Sequence, residues 1–167
     1  MVWLVPTLFV DMDDTLCVAW PRVVRNSIGG CLRETAFSLA ELMNDSVVPK
    51  AKEAVKRFQA CAWSVAVLTA RGFPGGEEVT RAWLERNGFG KLAVIVVSRA
   101  EHKSLVLQLR SEPGDLFVDD FMSGHESGIP KFVCHVYESC RKVIMTEVFR
   151  NNWPEIVWRR LGRTIDA

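Results

Sequence analysis

The chain has 167 residues, the length of one domain, and is long enough to bury a hydrophobic core. Hydrophobic residues make up 49% and charged residues 25%, which is ordinary globular usage and excludes a largely disordered chain. The net charge of +1 gives no general attraction to nucleic acid or to a membrane surface. No apolar run approaches the roughly 18 residues of a membrane span, and no membrane association is expected.

The five cysteines are odd in number and show no metal-binding spacing. We therefore expect reduced thiols in a cytoplasmic protein. Cys61 and Cys134 stand in apolar segments and are expected in the core.

Five short apolar segments predict the strands of a sheet. Helical patterns separate them, which is the alternation typical of α/β proteins. Most are nearly continuous hydrophobic runs, as expected for parallel strands covered on both faces. The predicted strands are Leu8–Val10, Ser64–Leu68, Leu92–Val97, Leu116–Val118 and Phe132–Tyr137. We predict a single Rossmann-like α/β domain over residues 1–167, with a mostly parallel five-stranded sheet and helices on both faces.

Helices are predicted between these strands. One begins at Pro49, because proline is favoured in the first helical turn. A second covers Glu77–Arg86, and a third runs from Ser98 or Arg99 to Arg110.

The segment 18–46 fits neither a strand nor a connecting helix of the sheet. It contains a predicted turn at Asn26–Gly30 and an amphipathic helix at Leu32–Met43. The segment is too short for a second domain with its own core, so we interpret it as a flap with a minimal lid helix beside the site.

Acidic and polar residues follow three of the predicted strands. Asp11-Met12-Asp13-Asp14-Thr15 follows the first, Thr69-Ala70-Arg71 the second and Asp119-Asp120 the fourth. The carboxyl ends of parallel strands form the edge at which α/β proteins bind ligands. Carboxylates packed this closely repel one another, and a bound divalent cation is the usual compensation.

These residues together supply the groups needed for phosphoryl transfer. They include a carboxylate nucleophile, a second carboxylate for proton transfer and oxygen ligands for Mg²⁺. Thr69, Arg71 and Lys103, which lies near a helix N-terminus, offer donors to phosphate oxygens. Any single aspartate pair could be a capping or turn motif, but three clusters in this order favour a phosphoryl-transfer site.

The pattern resembles the haloacid dehalogenase-like hydrolases, whose motifs are Asp-x-Asp-x-Thr, a Ser/Thr at a strand end, a lysine and a closing acidic pair. The resemblance implies that Asp11 forms an aspartyl-phosphate and that Asp13 is the general acid and base. It also implies that Thr69 and Lys103 bind the phosphate. The implied Mg²⁺ ligands are Asp11, Asp13 through its backbone carbonyl, Asp119 and Asp120. Asp14 stands where many members have glycine. Lys91 is an alternative to Lys103, but it precedes the third predicted strand and is therefore expected at the opposite edge of the sheet.

The segment after the second motif bears on the substrate. Thr69-Ala70-Arg71, a loop and a helix with Trp83-Leu84 are similar to the phosphatase domain of polynucleotide kinase-phosphatases and to small deoxyribonucleotidase-like members. This resemblance implies a nucleotide or nucleic-acid-end phosphate as substrate, with Thr15, Ala70 and Arg71 as candidate substrate-binding residues.

Alternatives remain open on the sequence. Arg71 could be an ordinary salt-bridged arginine at the sheet edge. The substrate could be a small phosphorylated metabolite or a phosphoprotein, and a non-catalytic binding protein could use the same scaffold. Transfer to an acceptor other than water, and the oligomeric state, are likewise open.

Overall fold

A five-stranded parallel sheet forms the centre of the computed structural model, which describes residues 5–29, 31–123, 131–132, 143–147 and 153–160. Its strands are β1 (Thr7–Val10), β6 (Ser64–Thr69), β7 (Ala93–Val96), β8 (Asp115–Asp119) and β11 (Val143–Glu147). Their order is β11-β8-β1-β6-β7, and each neighbouring pair is parallel. The predicted α/β class and parallel sheet are confirmed.

The last strand of the sheet differs from the prediction. Phe132 belongs to β10 (Lys131–Phe132), which pairs antiparallel with β9 (Met122–Ser123) outside the central sheet. Residues 133–137 of the predicted strand lie outside the described residues. The edge position is taken by Val143–Glu147, which sequence reasoning missed although its first four residues are apolar or β-branched.

Helices cover both faces of the sheet, as predicted. They are α3 (Ala51–Ala60), α4 (Gly76–Arg86), α5 (Lys103–Arg110) and α6 (Trp153–Arg160). Side chains alternate along β1, so Leu8 and Val10 join a core cluster with residues of α3, α4 and α6. Phe9 points the other way and packs in a second cluster with Leu107 of α5.

Residues 18–46, called the insertion below, lie between β1 and α3. They contain α1 (Trp20–Arg25), a hairpin of β3 (Ser27–Ile28) and β4 (Cys31–Leu32), a 3₁₀ turn (Glu34–Phe37) and α2 (Leu39–Met43). The antiparallel pair β2 (Cys17–Val18) and β5 (Ser46–Val47) joins the two ends.

The continuous helix predicted over Leu32–Met43 is wrong. Ser38 has an extended backbone with ψ of 148° and ends the 3₁₀ turn. Its side chain then accepts a hydrogen bond from the Glu41 N–H and caps α2. A serine that caps a new helix stabilises a break that hydrophobic periodicity does not reveal.

Two expectations from composition can be compared with the structure. Cys61 is exposed at the end of α3, so its predicted place in the core is wrong, while Cys134 lies outside the described residues. Among the described residues, no helix combines the length and apolar character needed to cross a bilayer.

Candidate active site

Three carboxylates meet at the carboxyl edge of the sheet. Asp11 follows β1 and Asp119 ends β8; the two strands are neighbours, and the Asp11 N–H donates to the Val118 carbonyl at 2.9 Å. Asp11, Asp119 and Asp120 each offer a carboxylate oxygen, and these three atoms lie within 4.8 Å of one another. All three residues are buried. The structure thus brings together three of the four predicted metal-binding residues by their side chains.

Lys103 supplies a positive charge to this group. It is the first residue of α5, and its Nζ donates to Asp11 Oδ1 at 2.6 Å and to Asp119 Oδ2 at 2.7 Å. Its side chain is only 3% exposed. Lys91, in contrast, is exposed in the loop before β7. Lys103 is therefore the lysine of this site, and one ammonium faces three carboxylates.

Burial and mutual repulsion raise the pKa values of Asp11 and Asp120. Burial, and then the Asp119 charge, raise the pKa of Asp11 to about 8 although Lys103 lies beside it. Burial, and then the charges of Asp119 and Asp11, raise the pKa of Asp120 well above its ordinary range. The three acids therefore cannot all be ionised at neutral pH without further positive charge. A compact, all-oxygen acidic set fits a divalent cation such as Mg²⁺, and these three side chains would hold it.

Two threonine hydroxyls accompany the carboxylates. Thr69 ends β6, next to β1, and Thr15 follows the Asp11–Asp13 segment. Both residues are 0% exposed, and within the described part of the chain neither hydroxyl has a hydrogen-bond partner. An unsatisfied buried hydroxyl is costly and usually has a functional explanation.

Asp13 has a different environment from the other acids. Arg71 donates to its two carboxylate oxygens, from Nε at 2.9 Å and from Nη2 at 2.7 Å. Arg22 of α1 donates to Asp13 Oδ1 at 2.7 Å. The Asp13 side chain therefore lies between two guanidinium groups and not with the metal-binding carboxylates.

Asp45 and Cys17 complete this second group. Arg22 Nε lies 3.0–3.1 Å from the two Asp45 oxygens, and Arg22 Nη1 donates to the Ala36 carbonyl at 3.0 Å. The Cys17 Sγ lies 3.4 Å from Arg71 Nη2. We call Asp13, Cys17, Arg22, Asp45 and Arg71 the arginine cluster.

Burial affects the titration of two groups in the arginine cluster. It raises the pKa of Asp45 to about 6, against the lowering effect of Arg22, the next largest influence. It also raises the pKa of the Cys17 thiol well above its ordinary value, so this buried cysteine is not an activated nucleophile.

A cavity of about 370 Å³ opens at this edge of the sheet. The predicted site residues that line it are Asp11, Asp13, Ala70, Arg71, Lys103 and Asp120. Thr69 and Asp119 are buried at the ends of β6 and β8, and Thr15 is buried in the turn that follows Asp13. Six of the nine predicted site residues thus line one cavity.

Sequence reasoning missed Arg22 and Asp45. Arg22 lines the cavity from α1 and is 3% exposed, and Asp45 is 7% exposed. Neither belongs to a recognisable motif, since Asp45 stands in a polar Asn-Asp-Ser segment that resembles a turn. One sequence feature could have indicated Arg22. It directly follows Trp20-Pro21, near the acidic motif, where proline favours the start of a helix.

Asp14 has a structural role in the same loop. Its φ of 57° lies in the left-handed region, which agrees with the glycine found at this position in many haloacid dehalogenase-like hydrolases. Its Oδ1 accepts the N–H groups of Ala19 and Trp20 at 2.9 and 3.0 Å, at the start of α1. Asp14 therefore shapes the turn after Asp13 and holds the first helix of the insertion.

Comparisons with known proteins bear on the fold. No protein-family model and no curated protein matches the sequence. Among solved structures, the chain is similar to a hydrolase described as a haloacid dehalogenase-like family protein from Streptococcus pneumoniae, with a TM-score of 0.57. The fold is of the haloacid dehalogenase type. The alignment covers 94% of this chain and 98% of that one at 12% identity, so the likeness concerns the fold alone.

Proposed function

We propose that the chain is a Mg²⁺-dependent phosphomonoester hydrolase that acts through an aspartyl-phosphate on Asp11. The observation that carries this proposal is the group of three buried carboxylates and Lys103 at the sheet edge, beside a cavity that Arg22 and Arg71 also line. The similar solved structure is named as a hydrolase, which agrees with this chemistry.

The reaction takes place in two displacements at phosphorus. An Asp11 carboxylate oxygen attacks phosphorus, the bond to the ester oxygen breaks, and protonated Asp13 gives its proton to the leaving alkoxide. Asp13 then takes a proton from water, whose oxygen attacks phosphorus and breaks the bond to Asp11. Inorganic phosphate leaves and both aspartates return to their starting states. A bound Mg²⁺ would offset the charge of the carboxylates and of the phosphate oxygens.

The arginine cluster sets a condition on the role of Asp13. Arg22 and Arg71 both contact the Asp13 carboxylate, so its oxygens are engaged and are not free to approach a leaving group. Phosphate oxygens are competing acceptors for a guanidinium fork. We infer that substrate binding draws Arg71 toward the phosphate and frees Asp13 for the leaving group.

We expect buried hydrogen-bond donors near Asp11 to bind the phosphate oxygens of the substrate. The unsatisfied hydroxyls of Thr69 and Thr15 can donate to its oxygens, and Ala70 offers its backbone at the end of β6. Lys103 balances the charge of nucleophile and phosphate together.

The proposed substrate is a nucleotide or nucleic-acid-end phosphate. The resemblance of Thr69-Ala70-Arg71 and the following helix to nucleic-acid phosphatases supports this class, together with the position of Arg71 at the cavity. We further propose that residues 1–167 form one catalytic domain in which the insertion acts as the lid. A cavity of about 370 Å³ lies within the range of small-molecule sites (about 300–1,000 Å³) and near its lower limit.

A substrate panel tests the proposal. Nucleoside 3′- and 5′-monophosphates, terminally phosphorylated oligonucleotides, sugar phosphates and phosphopeptides are assayed for phosphate release, with Mg²⁺ and with EDTA. We expect Mg²⁺-dependent release, highest for the nucleotide or oligonucleotide substrates, and none from the Asp11→Asn variant. Preference for sugar phosphates would reject the nucleic-acid assignment, and no release from any member would reject the hydrolase.

A further inference from the structure

The lining of the cavity has a charged part and an apolar part. Its acidic members and Arg71 follow the ends of strands, whereas the insertion contributes the apolar Val23, Leu32 and Phe37 beside the charged Arg22. Phe73, in the loop after β6, is also part of the apolar lining. The proposed phosphate chemistry uses the charged groups and leaves this apolar lining without a role.

Phe37 and Phe73 contact each other within the apolar lining. Their ring centroids are 5.2 Å apart and the ring planes are tilted by 52°. Both residues are only half-buried although they touch each other. Each therefore keeps aromatic surface that a flat ligand ring could cover.

The position of Phe73 relative to Arg71 is set by the backbone. A Cβ at Gly72 would lie 2.5 Å from the Ser98 Cα and 2.7 Å from the Val97 carbonyl oxygen. The close approach that glycine permits holds this loop against the chain after β7. One short, closely packed segment thus presents a guanidinium and, two residues later, an aromatic ring to the same cavity.

We propose that Phe37 and Phe73 form an aromatic subsite that binds the ring of the leaving-group alcohol. The substrate is then a small phosphomonoester with one planar ring system, of the size of a nucleoside or an aryl alcohol. A phosphate group satisfies the charged lining, while the apolar lining offers no hydrogen bond and gains from covering a ring. This inference rests on the proposed phosphatase function and defines its substrate class further.

Ligand binding to the Asp11→Asn variant separates this subsite from catalysis. Calorimetric titrations with Mg²⁺ compare a nucleoside monophosphate and O-phosphotyrosine with glycerol phosphate and inorganic phosphate. We expect at least one of the two ring-bearing esters to bind at least about ten-fold more tightly than glycerol phosphate. The relative affinities of nucleoside and tyrosine esters identify the source of the ring.

Variants of the two rings test the assignment directly. Phe37→Ala and Phe73→Ala should each weaken the binding of the ring-bearing esters about ten-fold. The affinity for inorganic phosphate should change by less than about two-fold. Phe37→Leu keeps apolar volume without a ring, so it tests the ring even if the alanine variants fold poorly. Leu39→Ala is the matched control, because Leu39 belongs to the same insertion and is 64% exposed.

Equal affinity for ring-bearing and ring-free esters would overturn the aromatic subsite, as would equal weakening of every ligand in the phenylalanine variants. Glycerol phosphate turnover by the unmodified enzyme is measured in parallel. If this turnover is present without ring selectivity, the phosphatase remains and the subsite is rejected. If no phosphate compound binds or reacts, the proposed function fails, and the subsite with it.

Discussion

The two acidic groups of the site differ in how their charge is balanced. Asp11, Asp119 and Asp120 share one ammonium, from Lys103. In the arginine cluster, two carboxylates face two guanidinium groups, and every guanidinium is hydrogen-bonded. Only Met12 separates Asp11 from Asp13 in the chain, yet the first group has too little positive charge for its three carboxylates and the second is balanced.

From this difference in charge balance we infer different roles for the two groups. An under-compensated set of carboxylates attracts a cation and a charged substrate. The balanced arginine cluster ties α1 and Asp45 of the insertion to the strand-end residues Asp13 and Arg71. We expect substitutions in the first group to affect chemistry, and substitutions of Arg22 and Asp45 in the second group to affect stability.

Asp11→Asn should have the largest effect. It removes the attacking charge and keeps the shape, so kcat should fall by about 10³-fold or more, without loss of thermal stability. Steady-state kinetics and a melting curve measure the two effects. Asp115→Asn is the matched control, since Asp115 is also buried but lies at the opposite end of β8. Asp11 would not be the nucleophile if the variant kept a tenth of the activity.

Metal removal should have the second-largest effect on activity. EDTA should reduce turnover to background, and added Mg²⁺ should restore it, because three carboxylates share a single ammonium and need further positive charge. Excess Ca²⁺ should inhibit, since its larger and looser coordination misplaces the attacking carboxylate. Full activity after verified metal removal would contradict the assignment of Asp11, Asp119 and Asp120.

Arg22→Met should affect stability through the arginine cluster. It leaves the buried Asp45 carboxylate without its closest partner, which should cost about 3 kcal/mol in the free energy of unfolding. Urea denaturation measures this change. Arg25→Met on the same helix removes only the exposed pair with Glu41 and should change stability little. Equal results for the two variants would show that the cluster does not stabilise the insertion.

Arg71→Lys should have a smaller effect, on catalysis. Lysine keeps the charge but loses the planar fork that contacts both Asp13 oxygens, so kcat/KM should fall about ten-fold. Arg81→Lys is the control, because Arg81 makes an exposed pair with Glu77 on α4. Unchanged kcat/KM in Arg71→Lys would identify Arg71 as an ordinary salt-bridge residue.

The smallest expected effect is a pH-dependent shift in melting temperature on Mg²⁺ binding. The pKa of Asp11 is raised from 3.8 to about 8, so the folded state holds this proton more tightly than the unfolded state. The resulting stabilisation is complete below the unfolded pKa and is lost as pH rises through about 8. A divalent cation replaces the proton, so Mg²⁺ should raise the melting temperature more at about pH 9 than at about pH 6. The linkage would be contradicted if Mg²⁺ raised the melting temperature equally at both pH values. It would also be contradicted if the Asp11→Asn variant kept the full difference between the two pH values.

Local sequence signals predicted much of the fold and most of the site. Four strands of the central sheet and the faces covered by helices follow from hydrophobic runs and their spacing. Lys103 was preferred because Lys91 precedes the third predicted strand, and in the structure Lys103 contacts Asp11 while Lys91 is exposed before β7. Such signals succeed because alternation and strand-end position depend on neighbours in the chain.

The insertion and the arginine cluster show where local signals fail. Ser38 divides a predicted helix, and Val143–Glu147 takes the sheet edge, because capping and strand pairing compete with hydrophobic periodicity. Arg22 and Asp45 are separated by 23 residues, and only the packing of the insertion brings them into contact.

The amino-acid sequence alone determines that carboxylates, a hydroxyl and a lysine meet at one sheet edge, because parallel strands carry the residues that follow them to that edge. Which carboxylates act together depends on the tertiary structure. Asp13 contacts Arg22 and Arg71, while Asp11 shares Lys103 with Asp119, and each pairing joins segments distant in the chain. Burial then raises the pKa of Asp11, since desolvation depends on everything packed around a group and not on its neighbours in the chain.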